Sequence, residues 1–130
     1  MFSKFKNSKK RGDAGLGIAI AWFTAEGYTV SIPLTDSQDY DLVVGIDDKL
    51  YRVQVTTTSQ KQQSGNYVIE LRTVSYGGKD YTIKHFDSKV VDYLFVITDS
   101  GNKYLIPVQV FGQRRRSLTL SSDYQRFKVE

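Results

Sequence analysis

Gly27-Tyr28-Thr29-Val30-Ser31-Ile32-Pro33, then Asp39-Tyr40-Asp41-Leu42-Val43-Val44, then Leu50-Tyr51-Arg52-Val53-Gln54-Val55-Thr56 form one continuous stretch of short apolar runs separated by turn residues. They read as three strands, the second and third joined by an Asp47-Asp48 hairpin turn. In the third, alternate side chains share a face, so Tyr51, Val53 and Val55 point one way and Arg52, Gln54, Thr56 and Thr58 the other. Taken alone, that alternation also suits an ordinary amphipathic edge strand. Asp41 adds to it. Aspartate is poor in strands, and a carboxylate inside a segment otherwise suited to burial needs a partner or a cation. A divalent ion would both account for Asp41 and polarise a phosphate.

Working outward, Asp13 can cap a helix running to about Glu26, which Gly27 ends as the residue just past the last turn. Its apolar positions, Leu16, Ile18 to Phe23, are nearly continuous, so much of the helix is expected to be buried. Gly15 and Gly17 weaken its first turn by roughly 1 kcal/mol each relative to alanine; they suit close packing on a sheet or the approach of a phosphate. Beyond Thr58, residues 59–65 read as a loop and 67–74 and 81–86 as half-exposed strands. Residues 90–98 are apolar enough for a central strand, and Ser100-Gly101-Asn102 turns the chain into the strand 103–107. The tail from Val108 holds a short helix or a final strand. One helix followed mostly by strands is an α+β, or mixed α/β, domain.

At 130 residues, with 40% hydrophobic and 25% charged, the chain is expected to be a single globular domain, residues 1–130. No run of eighteen apolar residues is present, so no membrane span is expected. The basic N-terminus leads into a glycine-punctuated segment without a small-residue cleavage site, which argues against a secretory signal. The absence of cysteine excludes disulfides and thiolate zinc sites. A single histidine, His85, leaves too few imidazoles for a Ser-His-Asp triad or a histidine-based metal site. These features fit a cytoplasmic, DNA-associated protein. Net charge is +4, while Lys4, Lys6, Lys9, Lys10 and Arg11 stand in the first eleven residues without an acid, an expected flexible basic arm. Arg114, Arg115 and Arg116 form a second cluster. Basic runs at two points suggest phosphate contacts, although such tails also serve solubility.

Gly12-Asp13-Ala14-Gly15 opening a helix, the three strands quoted above, Lys84-His85-Phe86-Asp87 and Val91-Asp92-Tyr93-Leu94-Phe95-Val96 stand in an order that resembles the PD-(D/E)XK nuclease superfamily. They resemble most its small branch of group I intron-associated homing endonucleases. The resemblance covers about residues 9–125. It implies a restriction-endonuclease-like core, a central mixed β-sheet with a flanking N-terminal helix. It also implies dependence on Mg²⁺ (or Mn²⁺), cleavage of double-stranded DNA, and a homodimer or homotetramer in which sites meet both strands. Asp41 matches the metal-binding aspartate, Gln54 the first position of the (D/E)xK element, and Val55 the residue whose backbone carbonyl faces the metal. Thr56 stands where the family has its lysine, and Leu16 where it has an acid on the first helix.

These two departures predict a rate loss of several powers of ten, unless Asp13, one turn before Leu16, or Lys61, on the loop after the strand, takes over. The chain is therefore expected to be either an endonuclease with a degenerate site or a DNA-binding protein that has lost catalysis on the same fold. A β-rich interaction module is a third reading. Candidate DNA contacts are Lys9, Lys10, Arg11, Gln38, Lys61, Arg72, Lys79, Lys84 and Arg114 to Arg116. The segment 67–86 would read a groove as a β-ribbon does.

Overall fold

The computed structural model describes residues 1–78, 80–112 and 116–130; Lys79, Arg114 and Arg115 lie outside the described residues. Among the described residues there are one α-helix, α1 (Ser8–Ala25), and ten strands. The strands are β1 (Thr29–Ser31), β2 (Leu42–Ile46), β3 (Lys49–Thr58), β4 (Val68–Glu70), β5 (Thr73–Gly77), β6 (Asp80–Lys84), β7 (Tyr93–Thr98), β8 (Lys103–Pro107), β9 (Ser117–Thr119) and β10 (Lys128–Val129). The expected single strand over 67–74 is two, because the chain breaks between them: Leu71 is buried and its N–H donates to the Arg116 carbonyl at 3.0 Å. The tail contains both of its expected alternatives, short 3-10 turns and strands.

Among the described residues six strands build the main sheet in the order β1-β2-β3-β7-β8-β10. It is mixed: β3 and β7 run parallel, with Val53 opposite Tyr93 and Val55 opposite Phe95, and the other neighbours are antiparallel. The β2–β3 hairpin closes through Asp47 (φ 51°) and Asp48 (φ 65°), both left-handed, the turn whose twist matches a two-residue hairpin. β7 is central and almost wholly buried, as its continuous apolar run requires. Its alternate residues divide the core. Phe95 and Ile97 join Val53, Leu42, Val44, Ala19 and Phe23 on the side of α1; Leu94 and Val96 join Ile69, Phe86, Ile106, Phe111 and Leu118 on the other.

The helix starts earlier than Asp13. Asn7 caps it, its side chain accepting from Lys10 N–H at 2.9 Å, and Asp13 lies exposed within the helix. The reason is long-range: Phe2 is buried against the core on the α1 side, and its N–H donates to Asp99 Oδ1 at 2.7 Å. The basic segment 1–11 is therefore a packed lead-in and the first turn of α1, not a free arm. Gly27, at φ 88°, ends the helix as expected.

Candidate active site

β2 begins only at Leu42, opposite Val53, so Asp41 stands just before the ladder, with its N–H donating to the Val53 carbonyl at 2.9 Å. Its carboxylate occupies the next position along the same edge and accepts from Val55 N–H at 2.8 Å. In a strand the N–H and C=O of one residue leave by the same edge, so the Val55 carbonyl also faces the Asp41 side. Asp41 has an exposed outer surface, yet loss of hydration around the carboxyl raises its pKa above the ordinary value, an effect the Val55 N–H partly offsets. One backbone donor leaves most of the carboxylate's lone pairs free.

Gln54 and Thr56 project from β3 away from α1, as the alternation predicted, while Val53 and Val55 pack on the helix side. Gln54 lines a cleft with Gln38, Asp39, Lys84, His85 and Asp87 over an apolar floor of Leu71, Phe86 and Val91. Gln38 also lines the adjoining depression that holds Asp41, so it stands between the two and its amide donates to the Thr35 carbonyl. Thr56 lines a different groove, with Arg11, Thr58, Gln60, Val68 and Glu70.

The remaining expected residues divide clearly. Leu16 packs against the core on the α1 side, the face opposite Gln54, and Asp13 is on that same helix; neither joins the Gln54 cleft. Lys61 pairs by an isolated bridge with Tyr67 and lies 4.9 Å from its ring centroid. It stands past the C-terminal end of β3, near Asp99, whose carboxyl is held below its ordinary value by Phe2 N–H first and the N-terminus next, with Lys61 a minor contributor. Arg72 pairs with Glu70 at 3.1 Å, Lys84 with Asp39. Lys9, Lys10 and Arg116 are exposed, and Arg11 is half-buried. Sequence reasoning misses Asp39, although it sits two residues before Asp41.

The register of β3 is pinned beside the site. Asp92 accepts from Arg52 Nε at 3.1 Å and from Arg52 N–H at 2.8 Å through one oxygen, and from the guanidinium at 3.2 Å through the other. The Arg52 side chain holds the Asp92 carboxyl below the usual range.

The sequence model of the PD-(D/E)XK endonuclease family matches residues 6–128. The chain belongs to this family. Among solved structures it is similar to a bacterial homing endonuclease, I-Ssp6803I, at 25% identity and a TM-score of 0.74, over 92% of this chain and 82% of that one. A weaker likeness, to MepB, has 12% identity and a TM-score of 0.40 over 79% of this chain and 77% of that one. None of the curated proteins compared matches the chain. The mixed sheet with its N-terminal helix is thus a restriction-endonuclease-like fold, as the resemblance implied.

The family generally requires a divalent metal, and the donors present suit a hard cation. Asp41 offers a partly dehydrated carboxylate, Gln54 an amide oxygen and Val55 a backbone carbonyl, all oxygen ligands. No group of three His, Cys, Asp or Glu side chains suited to a metal occurs among the described residues. Any such ion would therefore rest on fewer than three such side chains, completed by neutral oxygens. Among the described residues no helix is long and apolar enough to cross a membrane.

Proposed function

We propose that this chain is an endonuclease that hydrolyses phosphodiesters in double-stranded DNA with the help of Mg²⁺ or Mn²⁺. The observation that carries this reading is the Asp41 carboxylate fixed by Val55 N–H on the edge where Val55 also presents its carbonyl, in a chain of the PD-(D/E)XK endonuclease family. Asp41 would supply the negative charge that holds the ion, Val55 N–H fixes the carboxylate's direction, and Gln54 and the Val55 carbonyl add neutral oxygens. When bound, the ion supplies Lewis-acid stabilisation of charge that develops on the phosphate. Thr56 can hydrogen-bond a water but brings no charge to the phosphate. The single unit 1–130 would grip DNA with Lys9, Lys10, Arg11, Gln38, Arg72 and Arg116, and act as a homodimer or homotetramer, since two strands require two sites.

A specific observation favours a second reading, a DNA-binding protein without catalysis. Leu16, at the family's acid position, is packed against the core, and Thr56 opens on another groove than Gln54. The two readings separate on long duplex DNA incubated with Mg²⁺ or Mn²⁺, with Asp41→Ala beside the native chain. Cleavage by the native chain that Asp41→Ala abolishes supports the endonuclease. Salt-sensitive binding with no cleavage by either supports the binding protein.

A further inference from the structure

The site lacks a cation at Thr56, and the structure offers one from another element. Lys84 closes β6, and its ammonium lies in the same cleft as Gln54, paired with the Asp39 carboxylate. Its backbone position is rooted rather than carried on a hairpin tip. Two residues on, Phe86 is buried in the core and packs on Phe111 with ring centroids 5.4 Å apart. Asp39 is two residues from Asp41 and lines the same cleft as Gln54 and Lys84. The lysine side chain is 60% exposed and Asp39 32%, so the pair is screened. An ion pair this exposed contributes little to stability, and exchanging it for a phosphate costs little. A lysine also has a flexible stem and three donors that can redirect to an arriving oxygen.

We propose that Lys84, parked on Asp39 in the free protein, is the cation that meets the scissile phosphate in this chain and does the work Thr56 cannot. The proposal rests on the endonuclease reading above. In the reaction, water forms a new P–O bond as one ester P–O bond breaks, the attacking water's proton passes to solvent, and the leaving oxygen takes a proton from solvent. Lys84 stays protonated throughout and stabilises the charge gathering on the non-bridging oxygens. On this basis the chain departs from its family by moving the positive charge from β3 to the base of the β5–β6 hairpin.

The test uses the full chain and long genomic duplex DNA with Mg²⁺ or Mn²⁺, cut ends being mapped by sequencing. Lys84→Ala, Lys84→Arg, Thr56→Lys, Asp41→Ala and the double variant Lys84→Ala/Thr56→Lys are compared with the native chain. DNA affinity is read by anisotropy in Ca²⁺ and folding by thermal melting. The proposal expects Lys84→Ala to lose about hundredfold or more in single-turnover rate while affinity falls about tenfold or less. It expects Lys84→Arg to retain part of the rate and Thr56→Lys to restore cleavage to the Lys84→Ala chain. As a readout independent of cleavage, duplex DNA in Ca²⁺ should protect Lys84 from reductive methylation. Native rates in Lys84→Ala, or a rate loss no greater than its loss of affinity, overturn the proposal and leave the endonuclease reading standing. A silent native chain that Thr56→Lys activates overturns the proposal and the endonuclease reading with it, and leaves the binding protein on a nuclease scaffold that has lost its chemistry. Silence from every variant, or cleavage that persists in Asp41→Ala, overturns both.

Discussion

Gly15 lies so close to Thr57 that a Cβ on the glycine would stand 2.6 Å from Thr57 Cγ2. Of the two roles the sequence allowed this glycine, close packing is the one observed: α1 sits down on β3 here, with Val55 Cγ1 and Ile97 Cδ1 also near. Gly15→Ala gains about 1 kcal/mol of helix propensity but forces helix and strand apart, an overpacking cost of about 1–3 kcal/mol. The variant should be less stable than the native chain. Thr57→Ser removes the obstructing methyl, so in that background Gly15→Ala should become neutral or stabilising. Denaturant melts of the four chains check this, and additive effects would show that the contact is not the cause.

Asp41 should trade stability for function. Its folded pKa lies above the ordinary 3.8, with burial the main cause. The contribution of such a group to stability is fully present below the unfolded value and is lost as pH rises through the folded one. At neutral pH the ionised carboxylate is therefore a net cost to the metal-free chain. Asp41→Asn keeps an acceptor for Val55 N–H and should melt higher than the native chain in EDTA at pH 7, the gap closing toward pH 4. Divalent ions should raise the melting temperature of the native chain alone. A native chain that melts higher in EDTA would mean that its carboxylate is already satisfied.

What the sequence disclosed follows from range. The strands β1 to β3, the Asp47-Asp48 turn and the Gly27 stop are set by neighbours in the chain, and alternation alone placed Gln54 and Thr56 on one face. Other features depend on partners far away. Asn7 starts α1 because Phe2 is anchored on the sheet core, and β4 parts from β5 because Leu71 finds the Arg116 carbonyl. The Lys84–Asp39 pair joins a hairpin to the loop before β2. Within the site, the Asp41 carboxylate meets Val55 N–H across two strands, a contact that neither segment announces alone. Neither Asp13 nor Lys61 lines the Gln54 cleft, since one is carried by α1 and the other stands against Tyr67, past the end of β3.

The Arg52–Asp92 pair should make the site acid-labile from a distance. Arg52 holds the Asp92 carboxyl below the ordinary value, so the stability this group contributes is present above 3.8 and is lost as pH falls through the folded value. With the side chains 37% and 33% exposed, solvent screening discounts the pair to about 1 kcal/mol, even with its bidentate geometry. Arg52→Ala should cost about that much at pH 7 and little at pH 2. Because the pair sets Val53 opposite Tyr93, it should also loosen the strand that carries Gln54. Faster amide exchange at Gln54 and Val55 in Arg52→Ala would register this; unchanged exchange there would limit the pair to a surface role.

The first turn of α1 carries Lys9 and Lys10 and no acid. Cations at a helix N-terminus oppose the macrodipole, typically by about 0.3–1 kcal/mol each, so these residues are kept at a cost to folding. The proposed phosphate contacts of Lys9 and Lys10 would offset that cost, because an anion at this turn meets both lysines and the positive end of the dipole. Arg11, one residue on, lines the groove at Thr56. The double variant Lys9→Glu/Lys10→Glu should thus melt higher than the native chain and bind duplex DNA more weakly. The slope of log affinity against log salt should become shallower by about 2, at roughly 0.9 for each phosphate no longer neutralised. A higher melting temperature with an unchanged salt slope would keep the dipole argument and remove these lysines from the DNA surface. A lower melting temperature would show that the helix start is held by charge interactions other than its own dipole.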